Sequence, residues 1–466
     1  MIRSQTSAEG SLYELVARGV KDKFFIQDDN NAIHPFDWRF EKYPATIPEE
    51  RWIVPINPAR FGGRCEFEFE FPADILTEAY IGIQLPSLMP PAVDVSSGTV
   101  VDENGHSYGY VNGVAFFLFE KIEIYQDKIL LQEVSGDSLY ASCLTKGSFN
   151  QSFMNDISVG IHTGSPLDIM RAASPEYLEL RIPMIGCAEP GDKGLPICCL
   201  RDQPFRLRLT LRSLENLIES NGTDTKPWNH TFTHTTTSGI TTFKGYPYDM
   251  IKQPTLTVRT KQLYLSTELR QKLIKETLEI PYIRYFDNTF NINQLEYNSV
   301  ENGGSGSIVR YLDASYTVER IVTFFRNIID IRANKLWKFN NTLSEDGQYY
   351  SNLKFIVAGK EREEAWDSSI WQNVVCNSKE DRGSSKNIAI INWSRGWSIS
   401  NRKNNIREPT GGINFTTADR PMFTITLNNV LSDPVLGYKQ VFMNSSCESW
   451  ALYKIRNMRG GLEYAN

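Results

Sequence analysis

The sequence predicts an all-β protein built as two tandem β-sandwiches with long surface loops and few short helices. Three observations carry this reading. Stretches of strict apolar/polar alternation recur along the chain, patterns with helical spacing are few, and polar loops rich in Thr, Asn, Ser, Gly and Pro separate the alternating stretches. The chain has 466 residues, and a sandwich of eight or so strands takes roughly 150–200 residues with its loops. Aromatic residues make up 12% of the chain, including 25 Phe and 21 Tyr, a mixture that favours β-structure.

Taken in order, "CEFEFEFP" (65–72) sets Phe67, Phe69 and Phe71 on one face and Glu66, Glu68 and Glu70 on the other. "FRLRLTLR" (205–212) alternates Leu207, Leu209 and Leu211 with Arg206, Arg208 and Arg212. "TLTVRTKQLYL" (255–265) and "LKFIVAG" (353–359) also read as strands, and "FTITLNNV" (423–430) alternates Phe423, Ile425 and Leu427 with Thr424 and Thr426. Each describes a half-buried strand, with one face on a core and one on water or a neighbour. "STELRQKLIKETL" (266–278) is the best helical pattern, with Ser266 placed to cap it and Glu268 in its first turn. "SLYELVARG" (11–19) reads as a short helix, and "YTVERIVTFFRNIIDI" (316–331) fits either a strand or a helix. Segments 86–112, 220–250, 298–307 and 401–412 read as loops. The halves then divide as 31–215 and 254–466, with 216–253 between them as linker and surface loop. Each half is expected to end with a Pro/Gly turn followed by an alternating strand, "EPGDKGLPICCLRDQPFRLRLTLRSL" and "REPTGGINFTTADRPMFTITLNNV", a faint echo of duplication.

Composition narrows the function. The net charge of −6 argues against an electrostatic nucleic-acid binder, which would carry a basic stripe. The longest apolar stretch, "VNGVAFFLFEKIEI" (111–124), is too short and too interrupted to span a bilayer. The N-terminus lacks the apolar core of a secretory signal, so synthesis in the cytosol is expected. Seven cysteines, an odd number without a CxxC pair, fit a reducing compartment better than a disulfide framework. Cys198 and Cys199 read as small buried hydrophobes.

No catalytic constellation emerges. His230 and His234 have the i, i+4 spacing of helical zinc ligands, but the threonines around them favour a strand. There the two side chains would lie about 13 Å apart, too far for one ion. No GxSxG, HExxH or GxxxxGK[ST] pattern occurs. "GGSGS" (303–307) reads as a flexible turn, and "KEREEAWD" (360–367) as a solvated charged segment rather than a carboxylate pair built on Glu363 and Glu364. Metal, cofactor and catalytic residues are therefore expected to be absent. The sequons at Asn221 and Asn229 would matter only in a secreted chain. An alternative reading, a tandem β-sandwich carbohydrate-binding protein, would use Trp228, Trp366 or Trp371 for sugar stacking.

"EPTGGINFTTADRPMFTITL", with "SWALYKIRNMRGGLEYAN" at the end, resembles the C-terminal signature of the major capsid proteins of nucleocytoplasmic large DNA viruses. Pro409, Gly411, Asn414 and Phe415 match that family's turn and strand, with Thr410, Thr416 and Thr417 where Ser, Ser and Arg are usual. Met458, Gly460, Gly461 and Leu462 match its closing strand, with Arg459 intervening and Tyr464 supplying the aromatic. "LYELVARGVKDKFFI" (12–26), "IPMIGCAEPGDKGLPICCLRDQPFRLRLTLRSL" (182–214) and "KQLYLSTELRQKL" (261–273) resemble further family segments in the same order. "IGCAEPG" (185–191) stands where the family usually has aromatics. The resemblance implies two eight-stranded jelly rolls preceded by an N-terminal arm over residues 1–30. It implies no enzyme activity. It further implies a homotrimer forming a pseudo-hexagonal capsomer in the icosahedral capsid of a virion made in the host cytoplasm. Its partners would be neighbouring capsomers, minor capsid and penton proteins, with an internal membrane beneath the shell and no direct contact with nucleic acid.

Overall fold

The computed structural model describes residues 46–145, 160–188, 192–200, 203–301, 306–370, 374, 387–394 and 411–463. The expected N-terminal arm and the helix at 11–19 lie outside this set. In the first half the strands are β1 (Thr46–Ile53), β2 (Arg64–Glu68), β3 (Ile75–Gln84), β4 (Gly98–Asp102), β5 (Tyr108–Tyr110), β6 (Phe119–Gln126) and β7 (Ile129–Val134). They continue with β8 (Leu178–Arg181), β9 (Leu195–Pro196), β10 (Phe205–Leu211), β11 (Ile218–Ser220), β12 (Thr231–Thr236), β13 (Gly239–Lys244) and β14 (Thr255–Leu265).

Alternation sets the buried faces as expected. Phe205, Leu207, Leu209 and Leu211 of β10 are buried, as are Cys65 and Phe67 of β2 and Ile122 and Ile124 of β6. Leu76, Ala79, Ile81 and Ile83 of β3 join them in the core, with Leu256 and Val258 of β14. The outward faces carry cross-strand ion pairs, such as Arg208 Nε to Glu66 Oε1 at 2.7 Å. One sheet runs β1-β14-β3-β8, with β9 also on β3, and the other runs β2-β10-β6-β7.

The second half contributes β15 (Leu278–Ile292), β16 (Ser307–Tyr311), β17 (Thr317–Asn327), β18 (Tyr350–Val357) and β19 (Lys360–Asp367). After these come β20 (Ala389–Asn392), β21 (Ile413–Asn414), β22 (Met422–Leu427), β23 (Val441–Arg456) and β24 (Arg459–Leu462). Its sheets run β15-β23-β17-β20, with β21 and β24 attached, and β16-β22-β18-β19. The eight principal strands of the first half are β1, β2, β3, β6, β7, β8, β10 and β14; those of the second are β15 to β20, β22 and β23. Counted from one to eight in chain order, both halves have the sheets 1-8-3-6 and 2-7-4-5. This is one jelly-roll topology used twice.

Four features differ from the sequence reading or resolve it. Thr255–Leu265, expected in the second half, is the eighth strand of the first, hydrogen-bonded between β1 and β3. The two Pro/Gly-preceded strands that echo one another, β10 and β22, are the seventh strands of their halves and not the last. The segment 316–331 is a strand followed by the short helix Ile328–Arg332. Its ambiguity has a physical cause: β17 is buried on both faces, which erases the period of two. The helix Thr267–Lys275 forms as expected, but the side chain of Ser266 makes no capping hydrogen bond.

The long segments 86–112 and 220–250 are not plain connections. Strand β12 pairs with both β13 and β4, and β11 pairs with β5, so the two insertions fold onto each other as a crown of short sheets. The third, 298–307, includes the end of the helix Gln294–Glu301 and the first residue of β16, and residues 302–305 lie outside the described set.

The turn at 411–417 also has a different physical basis from the one its sequence suggests. A proline at 409 followed by two glycines points to a tight turn that uses the φ > 0 open to glycine, yet neither Gly411 nor Gly412 has a positive φ. A Cβ on Gly411 would lie 2.5 Å from the carbonyl oxygen of Trp393, and one on Gly412 would lie 2.7 Å from that of Val318. Both glycines are needed because main chain passes against main chain. Asn414 then stiffens the corner by accepting the amide of Thr416 at 3.0 Å, and Phe415 buries its ring near Phe355 and Trp393. Pro409 lies outside the described residues. Gly411→Val should lower the thermal midpoint and cost at least about 1–3 kcal/mol, the usual toll of overpacking. A melting curve matching wild type would overturn this account of the turn.

Candidate functional site

The chain's most constrained polar chemistry lies at the junction between the two sandwiches. It starts from the helix Gly136–Thr145, which follows β7, and meets β17 and β23 of the second half. Strands β17 and β23 are neighbours in register at Arg320 and Glu448, whose side chains are 1% and 0% exposed. Arg320 Nη1 donates to Glu448 Oε1 at 3.0 Å, and Arg320 Nη2 donates to Thr145 Oγ1. Ser142 donates its hydroxyl to the same Glu448 carboxylate. A buried ion pair of the second half is thus completed by hydroxyls of the first.

A second buried charge reverses the direction. Asp137 of the helix accepts from Arg326 Nη2 on β17 at 3.0 Å and from Arg212, just past β10. Burial opposes ionisation of Asp137, but the two guanidiniums outweigh it and hold the carboxyl below its ordinary 3.8. The Arg326 guanidinium also lies over the rings of Phe117, Phe324 and Phe339, at 5.6, 5.1 and 5.4 Å from their centroids.

Main-chain recognition surrounds these charges. Gln132 on β7 donates to the Ile283 carbonyl at 2.9 Å and accepts the Tyr285 amide at 3.2 Å, so one side chain reads the edge of β15. Tyr282 donates its hydroxyl to the Leu131 carbonyl at 2.9 Å. Asp287 accepts from the amide and hydroxyl of Ser135 and from the hydroxyl of Ser446. Burial raises the Asp287 carboxyl above its ordinary 3.8 in spite of those donors. Toward the crown, Asn334 donates to the carbonyls of Glu215 and Ile218, and Trp337 Nε1 donates to Glu219 Oε2 at 2.9 Å. At the C-terminal hairpin, Gln203 exchanges two hydrogen bonds with the Gly460 backbone, and Tyr453 donates to Gln126 Oε1 at 2.9 Å. A Cβ on Gly460 would fall 1.9 Å from the Tyr453 hydroxyl and 2.7 Å from Leu200, which explains a glycine there.

The residues singled out for chemistry are not brought together. His234 is buried beside Ser97, while His230 meets Glu103 and Asp224. No group of three or more His, Cys, Asp or Glu residues is arranged to hold a metal ion among the described residues. Glu363 and Glu364 lie on β19, the last strand in the order of its sheet. Trp228 packs partly buried against the core and edge-on to Tyr248, and Trp371 lies outside the described residues. Cys65, Cys187, Cys199 and Cys447 are buried thiols. Burial pushes Cys65 up to about 11 and Cys187 up to about 12, far from reactive thiolates. The junction residues had no sequence signal beyond polar letters at positions whose neighbours are apolar, such as Arg320 within "VERIVTFF" and Glu448 within "SSCESWAL".

The junction is testable at both ends. Asp137→Ala leaves two buried guanidiniums facing each other, and should cost about 3–5 kcal/mol in urea unfolding. The lowered Asp137 value means its contribution is present above the ordinary carboxylate value and is lost as pH falls through the folded value. The stability difference between wild type and Asp137→Ala should therefore shrink as pH falls below the ordinary carboxylate value of 3.8 and through the lower folded value. Gly460→Ala should destabilise the C-terminal hairpin, read as faster amide exchange over 452–463, and unchanged exchange would refute that docking.

No family model matches this sequence, and no curated protein matches it. Solved structures do. The PBCV-1 virus capsid is 12% identical, with a TM-score of 0.64 over 92% of this chain and 100% of that one. The Faustovirus major capsid protein is 11% identical, with a TM-score of 0.65 over 96% of this chain and 97% of that one. A structure of the Sputnik virophage is 9% identical, with a TM-score of 0.52 over 95% and 92%. Together with the repeated strand order, these likenesses give the chain the double jelly-roll fold seen in the Faustovirus major capsid protein and the PBCV-1 capsid.

Proposed function

We propose that this protein is a major capsid protein, the structural building block of the shell of a large DNA virus. The observation that carries the reading is the doubled jelly-roll topology, matched over more than nine-tenths of the chain by solved capsid structures. The junction supports it. A shell block must hold its two halves at one angle, and buried charges paired across the two halves tolerate few alternative arrangements. The domain limits that fit the strand order are about 46–265 for the first jelly roll and 278–462 for the second.

In this reading three copies close a ring in which six jelly rolls make a pseudo-hexagonal capsomer. Such contacts are heterologous but closed, so they end at the trimer instead of growing as a filament. Capsomers then tile icosahedral faces with minor capsid and penton proteins over an internal membrane, after synthesis in the host cytoplasm. The role is structural, without catalysis or cofactor. The outer tower in this reading is formed by the long segments 86–112, 220–250 and 298–307, the first two of which pair with each other as short sheets.

The test is light-scattering mass on the purified chain with negative-stain images of the same peak. A mass of about 160 kDa, three times the 53.2 kDa chain, with a six-lobed outline is the expected result. A folded monomer that stays monomeric at high concentration, with and without the other virion proteins, would overturn the capsomer reading.

A further inference from the structure

We propose that His230 is a proton-operated latch that staples the two insertions of the crown together, closed in acid and loosened in base. The proposal stands on geometry and does not depend on the capsid reading. Both ring nitrogens of His230 face carboxylates from different segments. Nδ1 lies 3.0 Å from Glu103 Oε1, just past β4, and Nε2 lies 3.2 Å from Asp224 Oδ2, between β11 and β12. An ionised carboxylate only accepts, so both nitrogens must donate, and the ring that fits this site is the imidazolium.

The site is built to hold that charge. Glu103 is fixed from its other oxygen by the Thr231 amide at 2.7 Å, and Asp224 by the Lys226 amide at 3.0 Å. Each carboxylate thus keeps one oxygen aimed at the ring. The His230 side chain is 14% exposed, and its ring packs on Tyr108, centroid to centroid at 5.4 Å. Asp102 lies behind it, its Oδ2 3.7 Å from His230 Nδ1. That carboxylate also takes the amides of Asn104 and His106, the Tyr108 hydroxyl and the His106 ring at 3.3 Å. The charged groups facing the latch are therefore Asp102, Glu103 and His106 from one insertion and Asp224 from the other. Lys226 pairs with Glu215, and His234 sits with Ser97.

The carboxylates stay ionised through mild acid. Glu103 is held below its ordinary value by the Thr231 amide and His230. At Asp102 and Asp224 burial pushes upward, but the amides they accept outweigh it. For His230, burial pushes the imidazolium down, yet Glu103 and Asp224 outweigh it and raise the ring above its ordinary 6.5. A raised folded value means the contribution is fully present below about 6.5 and is lost as pH rises through the folded value. On deprotonation the ring releases one proton to solvent and keeps one N–H. One carboxylate then faces a lone pair, and that strut opens.

The experiment is amide hydrogen exchange by mass spectrometry on the full chain from about pH 5 to 8.5, a range that brackets an ordinary histidine titration. Rates are corrected for intrinsic exchange, with peptides of β17 and β23 as internal reference. In wild type, protection over 98–112 and 220–246 should fall about tenfold relative to the reference as pH rises through the folded value of His230. His230→Asn should abolish the pH dependence. Glu103→Gln, which removes one charge but keeps an acceptor, should move the transition to lower pH even if His230→Asn loosens the crown at every pH. A wild-type profile without the transition, or a Glu103→Gln transition unmoved, would overturn the proposal.

Discussion

Two buried ionic clusters at the meeting of the sandwiches, Arg320 with Glu448 and Asp137 with Arg326 and Arg212, constrain the rest of the molecule. Removing charge from water costs several kcal/mol per ion unless partners and hydrogen bonds replace the solvent. Here the replacement is divided between the halves: Ser142 and Thr145 of the first complete a pair of the second, and Arg326 of the second completes Asp137 of the first. Neither half alone satisfies these groups. This shared pairing ties the two sandwiches to each other, since separating them would leave charges buried and unmatched.

The same logic explains why β17 and β23 differ from the other strands. Each faces a sandwich core on one side and the junction on the other, so β17 is buried on both faces along nearly all of its length and β23 over Ser445–Ser449. β17 meets this with apolar residues interrupted by Arg320 and Arg326, and β23 with small hydroxyls, Ser445, Ser446 and Ser449, around Cys447 and Glu448. Small side chains on β23 let the helix Gly136–Thr145 approach. Glycine does the same for main chain elsewhere: Gly136 itself has no room for a Cβ, which would lie 2.0 Å from the Phe116 carbonyl oxygen.

Much of the fold was legible because alternation is a local consequence of the pleat. Phe67 and Leu207 announce an inward face wherever their strand ends up, and both are fully buried. The helix at 267–275 was legible for the same reason, since its governing interactions lie within a few residues. The glycines at 411 and 412 were legible as constraints but not in kind. Whether a glycine answers to φ or to a neighbouring carbonyl depends on Trp393 and Val318, one of them far away in the chain. The spacing of His230 and His234 named no partner for either ring, and each meets one over a hundred residues away, Glu103 and Ser97, with Asp224 also beside His230.

The sequence by itself determined that the chain is β-rich, that it holds two sandwiches, and which face of each alternating strand turns inward. Hydrophobic burial with a period of two is written residue by residue and needs no partner to be read. Only the tertiary structure decided which strands pair, because backbone hydrogen bonds are nearly blind to side-chain identity. It assigned Thr255–Leu265 to the first sandwich, folded the two long insertions onto each other, and matched Asp137 with arginines at 212 and 326. Those matches rest on electrostatics and register between segments far apart in sequence, where a charged letter carries no mark of the partner it will meet.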